Sequence, residues 1–172
     1  MKIIFYLFAT FQILYAVAQG PYQINLDLTA SKEDRLLVVM NLPDIQEDEV
    51  EFHLPKIVPG TYRISDFGKF VSTFDAFDHL GKPLEVSKIS INKWLISGKP
   101  KHIEYWINDT FDHMEGYDEN FLFEPGGTSF EADRNVFVLN NFGIIGYIDG
   151  YKEIPFELRV LHSKDTYGAT AL

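Results

Sequence analysis

Five histidines, His53, His79, His102, His113 and His162, are the side chains with which this sequence would hold a metal ion or move a proton near neutral pH. No two of them are four residues apart, so the His-Glu-x-x-His helix that presents two imidazoles to zinc is absent. His113 is set among carboxylates, with Asp109, Asp112, Glu115, Asp118 and Glu119 around it. That mixture offers nitrogen and oxygen ligands. Its spacing fits no calcium loop, however, and the run reads as a solvated acidic loop. There is no Gly-x-Ser-x-Gly elbow and no glycine-rich phosphate loop, and the absence of cysteine removes thiol nucleophiles, thiolate ligands and disulfides together. Trp94, Tyr105 and Trp106 offer flat apolar faces on which a sugar could stack, although aromatics on strands more often serve as core or cross-strand pairs. Trp106 is out of phase with Tyr105, so one of the two turns away from the core and is the candidate contact for a ligand or a neighbouring domain. Asn108-Asp109-Thr110 is a glycosylation sequon, with meaning only in a pathway that glycosylates.

The elements that position these residues are strands. Ile24, Leu26 and Leu28 alternate with polar residues, as do Ile103, Tyr105 and Ile107, and Phe156, Leu158 and Val160. Period-two patterning places one face on a core and leaves the other polar. Arg35 to Leu42 is more continuously apolar, as a strand covered on both faces would be. Further strands are expected at Val50 to Leu54, Phe70 to Asp78, Lys93 to Ile96, Phe121 to Glu124, Asn135 to Leu139 and Ile144 to Ile148. No stretch carries sustained helical periodicity, and no repeat or linker divides the chain. Many short strands separated by turn residues indicate an antiparallel sandwich or barrel, and one all-β domain is the economical reading.

The chain opens with a targeting pattern. Lys2 is a short basic region, Ile3 to Leu14 an apolar one, and Ala16-Val17-Ala18 has the small-x-small form of a signal-peptidase site. Residues 1–18 are expected to be a cleaved signal peptide, since an apolar run this short falls below the roughly 20 residues a spanning helix needs. Residues 19–172 then form a single exported domain, periplasmic or extracellular, with no membrane association after cleavage. Hydrophobic residues make up 46% and aromatics 15% of the sequence, enough to build a core without disulfides. The formal net charge of −10 argues against nucleic acid and anionic lipid as partners, because both call for a basic patch. Acidic residues cluster at Asp44 to Glu51 and Asp109 to Glu119, read as solvated loops.

The most distinctive stretch runs from Leu54 to Gly81. Val58-Pro59-Gly60-Thr61 has turn chemistry, with proline pre-setting the first central position and glycine supplying positive φ at the second. Tyr62 to Ile64 leads out of this turn in strand-like sequence, and Asp78-His79-Leu80-Gly81 closes the stretch with another turn. Leu54, Pro55, Pro59, Gly60, Tyr62, Ile64, Asp66 and Phe67 reproduce the pattern Leu-Pro-x-Trp-x-Pro-Gly-x-Tyr-x-Ile-Arg-Asp-Phe, and Phe74, Ala76, Asp78, Gly81 and Trp94 follow in order. This resembles the N-terminal domain of the M61 metallopeptidases, the glycyl aminopeptidase family, over roughly Tyr22 to the end. Ile57 stands where that pattern has Trp and Ser65 where it has Arg, so any role of the indole or guanidinium does not carry over.

The resemblance implies an antiparallel β-sandwich that precedes a zinc aminopeptidase domain in the chain. It puts Trp94 in the core. It implies no catalytic residue and no cofactor in this chain; zinc belongs to a catalytic domain C-terminal to it, which is the expected partner, with a peptide as the parent enzyme's substrate. A zinc aminopeptidase needs a carboxylate for the substrate's α-ammonium group, a part Glu124 could take. Glu124, Asn140 and Asn141 are polar groups bracketed by apolar runs, and Gly143, like Gly126-Gly127, permits close approach of another backbone. These are the candidate substrate-binding residues, set against the plainer reading of hairpin glycines with a rim carboxylate. A bare docking face is expected from Phe121 to Phe130 and Phe142 to Tyr147, with Tyr167 to Leu172 loosely ordered beside it. The other reading is a free-standing exported module that binds carbohydrate or protein, for which an exposed aromatic row would be the sign.

Overall fold

The computed structural model describes residues 20–111 and 126–170. The expected leader, the acidic residues around His113, Glu124 and the strand expected at Phe121 to Glu124 lie outside the described residues.

Two sheets face each other. The first has the order β11 (Phe156–Leu161), β1 (Tyr22–Asp27), β2 (Arg35–Asn41), β7 (His102–Asn108), β4 (Val71–Phe77). The second has the order β10 (Tyr147–Ile148), β3 (Glu49–His53), β6 (Lys93–Ser97), β5 (Glu85–Ser90). A small hairpin, β8 (Ser129–Glu131) and β9 (Val136–Val138), stands apart, and a single helical turn, α1 (Asn141–Ile144), precedes β10. Every described strand pair is antiparallel except β1 with β11. The fold is an all-β sandwich.

Alternation becomes packing directly. Tyr22, Ile24 and Leu26 of β1, Leu36, Val38 and Met40 of β2, and Ile103, Tyr105 and Ile107 of β7 are buried on one face. Val50 and Phe52 of β3 and Trp94 and Ile96 of β6 answer from the other sheet. An aromatic cluster joins the layers. Phe52 lies 5.0 Å from Phe74 and 5.6 Å from Tyr105 across the gap, and Phe74 stacks on Trp94 at 5.0 Å and on Tyr105 at 5.7 Å. Offset and tilted rings at these separations add to the burial energy. Trp94 is therefore core, as the resemblance implies.

Two buried phenols fasten the sheets to the segment between them. The Tyr105 hydroxyl donates to the Ile144 carbonyl at 2.5 Å. The Tyr22 hydroxyl accepts from the Ile148 amide at 3.0 Å and donates to the Tyr151 carbonyl at 3.3 Å. Burial pushes the Tyr22 phenol from its ordinary 10.0 up to about 12, and raises Tyr105 in the same way. The folded state thus keeps two protons that the unfolded chain releases. Their contribution to stability is complete below about pH 10 and is lost as pH rises through the folded values. Urea midpoints measured between pH 9 and 12 should fall steadily, and replacing Tyr105 with Phe should flatten that fall. A midpoint independent of pH over this range would contradict the assignment.

Several expectations change on contact with the structure. Tyr62 to Ile64 is not a strand, because Tyr62 sits at φ +54, which breaks extended geometry. Only Tyr147–Ile148 of the stretch Ile144 to Ile148 is a strand; Ile144 ends α1, and Ile145 and Gly146 link the two. β2 alternates buried with half-buried residues, so its outer face is only partly covered. β5 and β8 were not legible in the sequence. Asp109, read as part of a solvated acidic run, is buried: its carboxylate accepts the amides of Phe111 and Phe130, each at 2.6 Å. Thr110 of the sequon is also buried, its hydroxyl donating to the Thr128 carbonyl at 2.9 Å.

The expected late docking face does not form among the described residues. Phe130 and Ile144 are core, held there by Asp109 and Tyr105 respectively. Gly146 is buried against Phe52, where a side chain would meet the His53 carbonyl oxygen at 2.6 Å. Among the described residues of that stretch, Phe142 is the one large apolar group that is well exposed.

Candidate functional site

The residues that carry the motif form one closed corner between β3 and β4. The Lys56 carbonyl accepts the amides of both Ser65 and Asp66, at 2.9 and 3.0 Å, so the loop between them returns on itself. At its tip the Thr61 amide bonds to the Val58 carbonyl at 3.2 Å, and Gly60 takes φ +90, as the Pro-Gly turn requires. The space around Gly60 is open, so a side chain there meets backbone strain and no clash. Gly60→Val should cost about 1–2 kcal/mol through that strain, read as a lowered thermal midpoint; an unchanged midpoint would refute the turn.

Tyr62 and Asp66 are also left-handed, at φ +54 and +51. Non-glycine residues stay in that region only when their surroundings over-determine them. For Asp66 the determinants are on hand. Its carboxylate accepts the Asn92 side-chain amide at 2.7 Å, and the Asn92 oxygen accepts the Gly68 amide at 2.9 Å. The Gly68 carbonyl in turn accepts the Lys88 ammonium at 2.9 Å. Lys88 also lies over the Trp94 ring at 4.9 Å, and burial holds its pKa below the usual lysine range. The corner is thereby clamped to the β5–β6 turn and, through Trp94, to the core.

This rigid support carries an apolar outer surface. Tyr62 is 98% exposed and Ile64 60% exposed. Ile57 of the same loop, Ile89 near the end of β5 and Ile91 of the β5–β6 turn are also exposed, and Ile64, Ile89 and Ile91 share a shallow groove with Lys69 and Lys88. Ser65, at the position of the pattern's arginine, is fully buried, and its hydroxyl makes no hydrogen bond.

The candidate substrate-binding residues inside the described region gather beside this corner. Gly126 faces Val58 and Thr61, with a virtual Cβ 3.5 Å from each side chain. The Asn140 side chain donates to the Gly126 carbonyl and accepts the Phe142 amide at 3.0 Å, capping α1. Gly143 lies on the Phe67 ring, where a Cβ would be 3.2 Å from it. Asn141 is exposed. Asn140 and Gly143 therefore have structural work, and Asn141 is left facing solvent. Sequence reasoning missed Gly68, Lys88 and Asn92. The nearest signal was Gly68, directly after the Asp66-Phe67 pair.

Of the histidines, His53 pairs with Glu51 at 2.9 Å and His102 with Glu104 at 2.8 Å, on different sheets. Among the described residues no group of three or more His, Asp or Glu is placed to hold a metal ion. No helix among the described residues is long and apolar enough to cross a membrane.

The comparisons with known proteins agree with this fold. A crystal structure of an aminopeptidase N family protein from Idiomarina loihiensis superposes with a TM-score of 0.64 at 21% identity, which shows the shared fold. The match covers 81% of this chain and 22% of that one, so this chain spans about a fifth of its length. Comparison with curated proteins finds no match. The model of the peptidase M61 N-terminal domain matches residues 22–172. The chain belongs to the peptidase M61 N-terminal domain family.

Proposed function

We propose that this chain is the non-catalytic N-terminal domain of an exported M61-type zinc aminopeptidase, which docks on the catalytic domain and helps wall the substrate cleft. The observation that carries the reading is Tyr62, held in a left-handed conformation and almost wholly exposed on a loop clamped from below. Strain kept at a surface position is a mark of function, and a rigid corner rimmed by isoleucines suits a neighbouring domain. The docking face is thus the Pro-Gly corner and not the later segment. Asn141 lies next to it, supported by Asn140 and Gly143, and is the residue of that set left free to meet a peptide. Glu124 keeps its proposed part opposite the substrate's α-ammonium group.

In the parent enzyme, water activated by the catalytic domain's zinc would hydrolyse the bond after a small N-terminal residue. Residues 1–18 direct export and are removed. A carbohydrate module is disfavoured, since Trp94 and Tyr105 are buried and Trp106 is half-buried beneath Arg35. Sequencing the natural message through Leu172 tests the proposal. It should continue in frame into a segment containing His-Glu-x-x-His. A stop codon directly after Leu172 would overturn it.

A further inference from the structure

β11 is the edge of the five-stranded sheet, and all six of its residues are exposed. Exposed edges of this length normally carry a proline, an inward charge or a bulge that blocks pairing. Within its six residues β11 has no proline, inward charge or bulge; Pro155 precedes it, its charges Glu157 and Arg159 lie on the outer side, and Phe-Glu-Leu-Arg-Val-Leu pairs with β1 in unbroken parallel register. Phe156, Leu158 and Val160 lie in register with the buried Tyr22, Ile24 and Leu26, and so share the core-facing side of the sheet. They remain more than a third exposed, because β10, at the corresponding end of the other sheet, is only two residues long.

The phase of the backbone is fixed by one bond. The Tyr22 amide donates to the Pro155 carbonyl at 2.9 Å. In a parallel ladder this turns the polar groups of Glu157, Arg159 and Leu161 towards β1, and those of Phe156, Leu158 and Val160 towards the open edge. The open edge therefore offers three consecutive outward amide and carbonyl pairs.

We propose that this edge pairs with β11 of a second copy of the chain, antiparallel about a two-fold axis at Leu158. The sequence is self-complementary in that register. Leu158 meets the partner's Leu158, Phe156 meets the partner's Val160, and Glu157 meets the partner's Arg159, with each contact repeated by symmetry. The outward amides and carbonyls of Phe156, Leu158 and Val160 then supply about six ladder bonds, in the phase an antiparallel pair needs. Two opposite-charge pairs form on the outer side and an apolar row on the inner side. Val160 also borders an open hollow lined by Leu28, Phe137 and Leu139, beside which the partner's Phe156 would arrive. This edge is separate from the Pro-Gly corner, and the inference does not rest on the proposed peptidase role.

Sedimentation velocity on the full chain over a concentration series tests it. The wild type should show a reversible monomer–dimer equilibrium. E157R places two arginines opposite two arginines, and R159E does the same with glutamates. Each should raise the dimer dissociation constant about tenfold or more. The double variant E157R/R159E exchanges the charges and should bring the constant back towards wild type. Both positions are exposed, so thermal midpoints of the monomers should not move; if a variant does unfold, L158K, a lysine on the open edge, serves in its place and should abolish the dimer. A wild-type chain that stays monomeric throughout, or a dimer indifferent to E157R, R159E and L158K alike, would overturn the proposal.

Discussion

Phe52→Ala should lower the stability of this domain by about 3–5 kcal/mol, the range for emptying a fully buried aromatic site. Phe52 makes no contact with solvent and stands at the centre of the ring cluster, touching Phe74, Trp94 and Tyr105 from the opposing sheet and its own. Its neighbours cannot collapse into the space. Trp94 is held by Phe74 and by the Lys88 ammonium above it, and Tyr105 is tied to the Ile144 carbonyl. A domain of this size has about 5–15 kcal/mol in total, so a large share is at stake. Urea unfolding followed by tryptophan fluorescence should show a much lower midpoint with the slope preserved. A loss below about 1 kcal/mol would mean that the two sheets are not joined through this residue.

Gly68→Ala should be the most damaging change at the corner. A Cβ at Gly68 would fall on the Ile91 carbonyl oxygen and lie 2.8 Å from the Asn92 Cα. Both are backbone atoms of the turn that holds Asp66, so no side chain can swing aside. The added methyl must push the corner off the β5–β6 turn, breaking the Gly68 amide bond to Asn92 and the Lys88 bond to the Gly68 carbonyl. A cost of about 3 kcal/mol is expected, at the upper end for overpacking because rigid main chain is the obstacle. It should come with altered backbone signals across Tyr62 to Asp66. Gly60→Val, which meets open space, should cost less. If the order were reversed, the clamp described for the corner would be wrong.

What could be read in the sequence follows from how each element is stabilised. β1, β3, β7 and β11 carry period-two patterns and were legible because one face of each is apolar. The Val58-Pro59-Gly60-Thr61 turn was legible because its conformation is local to proline and glycine. β5 was not, since it is an edge strand exposed along most of its length and its order comes from pairing with β6. Tyr62 to Ile64 misled because its apolar side chains point outward from a strained loop, where apolar pattern says nothing of strand geometry. Asp109 misled for the opposite reason. Its charge is matched by backbone amides contributed by Phe130, far along the chain, and no local pattern announces such a partner. The candidate site was half legible: the motif marked the corner, but its support from Lys88 and Asn92 depends on tertiary placement. The late segment was expected at the surface because it is rich in aromatics, yet Phe130 and Ile144 complete this domain's own core.

The claim that the Pro-Gly corner is a docking face can be tested by hydroxyl-radical footprinting. The comparison is between this chain alone and an aminopeptidase that carries it beside a catalytic domain. Tyr62 and Ile64 should be oxidised readily in the isolated domain and strongly protected in the enzyme. Leu80, exposed in the β4–β5 turn at the far end of β4, should react equally in both. Equal oxidation of Tyr62 and Ile64 in the two proteins would contradict the account.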